Sequence, residues 1–358
     1  MSTSARRQPK YVVHDGFRMP MGFPVHGFAS GLGYRPLASD VFVASYPKCG
    51  TTWMQYVVYL LMNGGSPLPS GRKLEEFFPH LEEVGAEGVG VLPERRMIKT
   101  HLPFAMTPYR PDARYVYVAR NPFDCAVSFY HHTRGFVHHY DFADGTFDDF
   151  FECFIRGEVD FGDYFAHLSS WHAERNAPNI LFVTYERMRA DTESVIAEVA
   201  AFIGEPAASA ARDRAMLRAI CEESSFRSMS RDQRRWSSAR PAGMPEFVRK
   251  GIVGDWRGTF TPEQARRLRD EFARRTAGTG PYALWPDVLP MSTASSAARA
   301  DHRKIVPGTN FSKKRAWHEF LGGKDQRWTS RSEPSSMRPF SADCCSISTS
   351  GRTCRTST

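Results

Sequence analysis

Val41-Phe42-Val43-Ala44-Ser45-Tyr46-Pro47-Lys48-Cys49-Gly50-Thr51-Thr52-Trp53 decides the fold. A short apolar, partly β-branched run breaks into a Pro/Gly turn, and an apolar pattern of helical length follows from Trp53 to Met62. The succession predicts strand, tight loop and helix. Gly50 lets backbone approach a ligand, the first amides of the new helix point into the loop, and Lys48, Thr51 and Thr52 add a cation and two hydroxyls. Such a loop is an anion cradle suited to phosphate or sulfate. Taken alone, it is equally an ordinary βα turn with a surface lysine.

Outward from this stretch, 358 residues accommodate one large α/β domain or two small ones. No apolar segment of signal-peptide type stands near the start, and no run of about 18 apolar residues occurs, so export and membrane spanning are not expected. The net charge of +8 is unevenly spread: residues 1–290 hold 35 Lys and Arg against 34 Asp and Glu, whereas residues 291–358 hold 12 against 5. A nearly neutral body lacks the electrostatic footprint of a nucleic-acid binder. Of the seven cysteines, Cys344, Cys345 and Cys354 lie in the basic tail, while Cys49, Cys125, Cys153 and Cys221 are far apart without C-x-x-C spacing. Neither a zinc site nor a disulfide framework is expected, and a reducing, cytoplasmic location follows.

Residues 1–40, rich in Gly, Pro and aromatics, predict irregular structure contributing to a pocket. Gly64-Gly65 stops the first helix, and a second helix is expected over Leu74–Val84. Met97 to Leu102 forms a strand-like run ended by Pro103, with the polar triplet Lys99-Thr100-His101 at its end. A stronger strand, Ala113–Ala119, runs into Arg120, after which Asn121 as N-cap, Pro122 at the first helical position and Asp124 in the first turn start a helix. Helices broken near Gly157 and Gly162 precede the buried strand Ile180–Tyr185; helix Val195–Ile203 and a helical pattern over 208–230 follow. Arg231–Arg240 reads as a basic loop, and Thr261-Pro262-Glu263-Gln264 opens a final helix to about Arg275. Residues 291–358, rich in Ser, Thr and Arg, are expected to be disordered. This order predicts an α/β fold: one domain with a central, mainly parallel sheet flanked by helices. Ligands of such sheets bind at the carboxyl ends of the strands, which places Lys48, Lys99–His101 and Arg120 along one edge.

Lys48, Lys99, Arg120, Arg249 and Lys250 are cations at turns and strand ends. Together with Ser128 and the loop hydroxyls they predict a ligand with two separate anionic groups, one at the Gly50 amides and the other near Arg120, Ser128 and the turn Arg249-Lys250-Gly251. His101 at the mouth of such a site is a natural general base, its ordinary pKa near ~6.5 permitting proton uptake at neutral pH. Lys48 and Lys99 would offset charge on a departing anion. Trp53 and Phe226 read either as core aromatics or as surfaces on which a base stacks.

Four ordered blocks, Tyr46-Pro47-Lys48-Cys49-Gly50-Thr51-Thr52-Trp53, Lys99-Thr100-His101-Leu102-Pro103, Tyr117-Val118-Ala119-Arg120-Asn121-Pro122 with Ser128, and Arg249-Lys250-Gly251-x-x-Gly254-Asp255-Trp256, resemble the signature blocks of the cytosolic sulfotransferases over about residues 11–290. The resemblance implies a fold related to the P-loop nucleotide kinases, with 41–290 as the sulfotransferase domain. It also implies 3′-phosphoadenosine 5′-phosphosulfate (PAPS) as donor, no metal, and a small apolar hydroxyl or amine compound as acceptor. It assigns Lys48, Gly50, Thr51 and Thr52 to the 5′-phosphosulfate, and Arg120, Ser128, Arg249, Lys250 and Gly251 to the 3′-phosphate. Trp53 and Phe226 match the adenine-stacking aromatics, Tyr185 and Ser224 other nucleotide contacts, His101 the catalytic base and Lys99 an assisting lysine. Phe17, Phe23, His132 and His139 are expected to line the acceptor pocket. Three positions depart from the pattern. Cys49 stands where serine is common, and His132 where aromatic pocket residues are. The dimerisation motif appears altered as Arg257-Gly258-Thr259-Phe260-Thr261-Pro262 with Arg266 at its Glu position, which leaves a homodimer of family type in question. The rivals are a P-loop phosphotransferase, against which no G-x-x-x-x-G-K-[ST] occurs, and a catalytically silent nucleotide-binding protein.

Overall fold

The structure, a computed structural model, describes residues 6–237, 240–277 and 280–289. Its centre is a parallel sheet of β3 (Val41–Ser45), β4 (Met97–Thr100), β5 (Arg114–Ala119) and β6 (Ile180–Thr184) in the order β4-β3-β5-β6. Every residue of β3 is buried, which is why the run is apolar throughout: helices cover both faces of the sheet. The period of two then sorts the side chains. Phe42, Ala44, Tyr115 and Tyr117 pack into one core with Phe129, Phe154 and Trp171. Val41, Val43, Val116 and Val118 pack into the other with Val57, Leu61 and Val199.

Register matters more to function than the cores do. Ala44 lies opposite both Thr100 and Tyr117, and Ala119 opposite Thr184, so the strands end nearly level. The 46–50 loop, His101, Arg120 and Tyr185, each at the carboxyl end of its own strand, are therefore brought together along one edge of the sheet.

The helices are α1 (Val25–Leu32), α2 (Thr51–Met62), α3 (Leu81–Gly90), α4 (Pro122–Gly135), α5 (Val137–Tyr140), α6 (Phe147–Arg156), α7 (Tyr164–Ala173), α8 (Tyr185–Ala190), α9 (Thr192–Ile203), α10 (Ala207–Arg212), α11 (Arg214–Glu223), α12 (Phe226–Met229) and α13 (Pro262–Thr276). Asn121 caps α4 as expected, its side chain accepting the Asp124 N–H at 2.9 Å.

Four expectations need correction. The first forty residues are not irregular: β1 (Tyr11–His14) and β2 (Phe17–Pro20) form an antiparallel hairpin, followed by α1. Strands of four residues show too little alternation to be read, and the hairpin is held from outside, with the Lys10 and Met21 amides donating to the Tyr140 and His139 carbonyls at 2.8 and 3.0 Å. The helix expected over Leu74–Val84 is a 3₁₀ turn at Leu74–Glu76 and, later, α3, broken at Gly85 where φ is 69°. The pattern over 208–230 is three short helices, and Tyr185 opens α8 instead of closing the strand. Residues 291–358, read as disordered, lie outside the described residues.

Candidate active site

A cavity of about 310 Å³ opens along the level strand ends. Every residue that the sequence assigned to the donor, catalytic or acceptor site lines it except Phe17, which is buried behind it, stacked on Phe28 (5.4 Å between ring centres) and edge-on to Phe161.

The turn after β3 holds Lys48 at a φ of 66°, a conformation a non-glycine residue adopts only when its surroundings impose it. Gly50 follows at 106°, and a Cβ there would sit 2.8 Å from the Tyr185 ring. Because Gly50 is the N-cap of α2 and offers no side-chain acceptor, the first amides of that helix stay available to a ligand. Cys49 turns the other way, its Sγ 3.7 Å from Cys125 Sγ on α4, so the thiol packs inward while the backbone forms the cradle. The Lys48 ammonium lies 4.0 Å from the centre of the Phe247 ring. Burial, then Arg240, Lys99, Arg120 and Arg249, push its pKa well below the usual lysine range. Cations crowded this way are what an anion would relieve.

His101, directly after β4, is fixed on three sides. Its amide donates to Glu82 Oε1 at 2.5 Å, its carbonyl accepts from His167 Nε2 at 3.0 Å, and its ring Nδ1 lies 2.8 Å from the Ser45 carbonyl. A carbonyl only accepts, so Nδ1 carries the proton and Nε2 keeps its lone pair. Burial first, then Lys99 and His80, hold the ring well below the usual histidine pKa, which keeps it neutral. The Ser45 hydroxyl meets Thr51 Oγ1 at 2.6 Å and joins this strand end to the cradle.

At the far end Arg120 reaches across the fold. Nη1 donates to the Lys48 carbonyl at 3.2 Å, Nη2 to the Ile252 carbonyl at 3.3 Å, and the guanidinium stacks 4.3 Å above the Tyr185 ring, leaving its buried Nε without a partner among the described residues. Arg249 and Lys250 both pair with Asp255. Gly251, at a φ of 64°, lets Phe226 lie against the backbone, since a Cβ there would be 2.5 Å from that ring. Two carboxylates organise this end: Asp124, which the sequence marked only as part of a helix start, and Glu186, which it did not mark. Asp124 accepts from the Gly254 and Trp256 amides at 2.7 and 3.1 Å, and Glu186 accepts from the Asn121 amide at 2.9 Å and from Trp285 Nε1 at 2.7 Å. Ser224 reaches the cavity wall, but its hydroxyl donates to the Ile220 carbonyl at 2.7 Å.

The opposite wall is aromatic and largely unannounced by any motif: Phe161, Phe136, Tyr140, His80 and Phe247 join the expected Phe23, His132 and His139. Phe161 packs on His101 at 5.1 Å and on Phe23 at 6.2 Å between ring centres. His132 lies tilted against Phe136 with 4.5 Å between ring centres, and burial, then Lys48 and Arg240, keep it neutral. Asp160 also faces the cavity and accepts from the Tyr140 hydroxyl at 2.7 Å. Among the described residues no group of three or more His, Cys, Asp and Glu side chains is placed to hold a metal ion.

Comparison with known proteins gives this arrangement its context. A family model, the sulfotransferase domain, matches residues 38–280. Human sulfotransferase 1C2 is 32% identical over 255 residues, covering 67% of this chain and 84% of the relative. Bovine sulfotransferase 1A1 is 32% identical over 294 residues, covering 75% and 96%. Mouse sulfotransferase SULT7A1, solved in complex with PAP, superposes with a TM-score of 0.62 at 26% identity over 75% of this chain and 94% of that one. A retinol dehydratase solved with retinol and PAP gives 0.66 at 25% identity, covering 76% and 91%. With two thirds of its length matched by the family model and by relatives at this identity, and with the cradle, His101 and Arg120 on one edge of a parallel sheet, the chain belongs to the sulfotransferase family.

Proposed function

We propose that this protein moves the sulfuryl group of PAPS to the hydroxyl, or amine, of a small apolar acceptor, with His101 as general base. The observation that carries the reading is the His101 ring, fixed through Nδ1 with Nε2 unpaired among the described residues, in the same cavity as the Lys48–Gly50 cradle. PAP, the 3′-phosphoadenosine 5′-phosphate of the two solved relatives, would be the second product. The residues fit such a nucleotide. The α2 amides, Lys48, Thr51 and Thr52 would take the phosphosulfate, and Arg120, Ser128 and the Arg249-Lys250-Gly251 turn the 3′-phosphate. Trp53 and Phe226 would flank the base, with Tyr185 and Ser224 completing its surroundings.

In the transfer, the acceptor O–H gives its proton to His101 Nε2 while its oxygen attacks sulfur. The bond between sulfur and the bridging oxygen breaks, and that oxygen leaves with the electron pair on the nucleotide. Lys48 and Lys99 stabilise the charge that appears there. Glu82, buried beneath His101, accepts from its amide and from Thr100, which holds the base in place. We place the protein in the cytoplasm on its free thiols Cys49, Cys125, Cys153 and Cys221. We also read the altered dimer motif as engaged within the protomer. Phe260 is buried inside the protomer, Thr261 caps α13, and Arg266 is engaged with Glu263 and Asp270.

The test is transfer of labelled sulfate from PAPS to a panel of phenols, alcohols and amines. Turnover is expected in the wild type. His101→Ala should lower kcat by about 10²-fold or more with PAP affinity retained within about threefold by calorimetry. An unchanged rate removes His101 from its role, and phosphate transfer from ATP in place of sulfate transfer removes the reading as a whole.

A further inference from the structure

His80 lines the cavity, yet the transfer described above gives it no task. It directly precedes α3, and the Lys99 amide, donating to the Pro79 carbonyl at 2.9 Å, lays this segment along β4, so that His80 comes beside His101. The two rings meet edge to face with 5.0 Å between centres, and among the described residues His80 is the only titratable ring packed on the His101 ring. Its nitrogens face two carboxylates in the first turn of α3. Nε2 is buried 3.3 Å from Glu82 Oε2 but out of hydrogen-bond alignment, so both atoms lack a hydrogen-bond partner among the described residues; Nδ1 is 4.0 Å from Glu83 Oε2, on a side chain 51% exposed. A ring that only filled the wall beside Phe23 and Phe161 would need neither nitrogen, and burying one unsatisfied costs stability. His101, for its part, has a proton to lose after each transfer. Its Nδ1 is held on the Ser45 carbonyl, the residue is 7% exposed, and Lys99 and His80 disfavour positive charge on its ring, so the proton must pass to a neighbour.

We propose that His80 is the proton relay of this site: it takes on Nδ1 the proton that His101 Nε2 has received from the acceptor, and hands it to Glu83, from which it reaches solvent. The proposal rests on the sulfotransferase reading of the site. One proton moves and no other bond changes; His101 returns to its neutral form, and His80 and Glu83 follow once a base in solution takes the proton. A proton crosses between the two histidines in contact or over one water. Glu82 prepares the step. A carboxylate only accepts, so it favours the His80 tautomer with the proton on Nε2 and the lone pair on Nδ1, and it stabilises the imidazolium that forms in passing. Burial raises the Glu82 carboxyl to about 7, which leaves it ionised above neutral pH. Burial, then Lys99, hold His80 well below the usual histidine range, so it does not retain the proton. The gap to Glu83 closes with a rotation of that half-exposed side chain. The charged and titratable groups facing His80 are thus Glu82, Glu83, Lys99 and His101, and Phe23 and Phe161 pack on it besides.

The experiment measures kcat for sulfate transfer from labelled PAPS to the fastest acceptor of the panel of phenols, alcohols and amines, in dilute buffer and then with rising imidazole at constant ionic strength and at about pH 8, where His101 is neutral. The wild type should be indifferent to imidazole. His80→Phe, which keeps an aromatic ring in the wall, should lose about tenfold in kcat in dilute buffer and regain it to within about twofold as imidazole carries the proton instead. Glu83→Gln, at a half-exposed position, tests the same route should His80→Phe not fold: kcat about threefold lower, restored in the same way. A merely structural loss would not answer to buffer. The relay is overturned if His80→Phe keeps the wild-type kcat in dilute buffer, if its loss persists at every imidazole concentration, or if Glu83→Gln is unaffected. A wild type that transfers sulfate to no member of the panel removes the sulfotransferase reading and the relay with it, whereas an active wild type with any of those three results removes the relay alone.

Discussion

Glu82 and Asp160 are two buried carboxyls pushed to about 7 by burial, and their surroundings separate them. Glu82 Oε1 receives an amide and a hydroxyl and serves as the footing of His101, whereas Asp160 Oδ2 receives one hydroxyl; each carboxyl leaves its second oxygen buried without a hydrogen-bond partner among the described residues. The linkage for Asp160 has a definite sign. Its folded pKa lies above its ordinary 3.8, so the folded state holds a proton that the unfolded chain has lost between those values. Stability from this group therefore falls as pH rises from about 4 to about 7 and then levels off. Asp160→Asn removes the penalty: thermal unfolding should show the variant more stable than wild type at pH 8, by on the order of 2 kcal/mol. That gain should shrink steadily as the pH is lowered through 7 toward 4. A variant less stable than wild type at pH 8 would mean that the carboxylate is satisfied by partners it does not have in this structure.

The elements that matter most are the start of α4 and the segment 249–256. Asp124, in the first turn of α4, holds Gly254 and Trp256 by their amides and Asn121 by its side chain, so the 249–256 segment is moored to the helix that presents Ser128. Asp124→Asn sets an N–H donor against a backbone donor in a buried place, at a cost of about 1–3 kcal/mol. The expected result is a lower Tm and a PAP Kd weakened by about tenfold in calorimetry. Unchanged affinity would show that the segment finds its position without this mooring.

Across the whole molecule, the cavity gathers more positive charge than it neutralises. Lys48, Lys99, Arg120, Arg240 and Arg249 crowd together, and of these only Arg249 has a carboxylate partner among the described residues. These cations repel one another, and a nucleotide with two phosphate groups should stabilise the protein well. PAP at about 100 times its Kd is expected to add about 2.7 kcal/mol, read as a rise in Tm. The affinity behind that rise should weaken as ionic strength increases, because salt screens the attraction. A PAP-induced shift indifferent to salt would argue against a site built on these cations.

The sheet, the strand ends and the donor half of the site were legible because each rests on local rules. Buried parallel strands are continuously apolar, a Pro/Gly turn before a helix makes an anion cradle, and Asn121-Pro122 starts a helix wherever it occurs. The acceptor half was not. Phe161, Tyr140 and Asp160 come from α5 and the turn between α6 and α7, Phe247 from a loop after α12, and no spacing relates them; Phe17, one of the residues expected there, lies behind the wall. In the same way, the tautomer of His101 rests on a Ser45 carbonyl on the neighbouring strand. Composition and periodicity determined the parallel sheet and the gathering of the 46–50 loop, His101 and Arg120 at its edge, since those depend on backbone conformation along the chain. The tertiary structure alone decided which side chains form the aromatic wall of the cavity and which tautomer His101 holds, since those depend on packing between segments far apart in sequence.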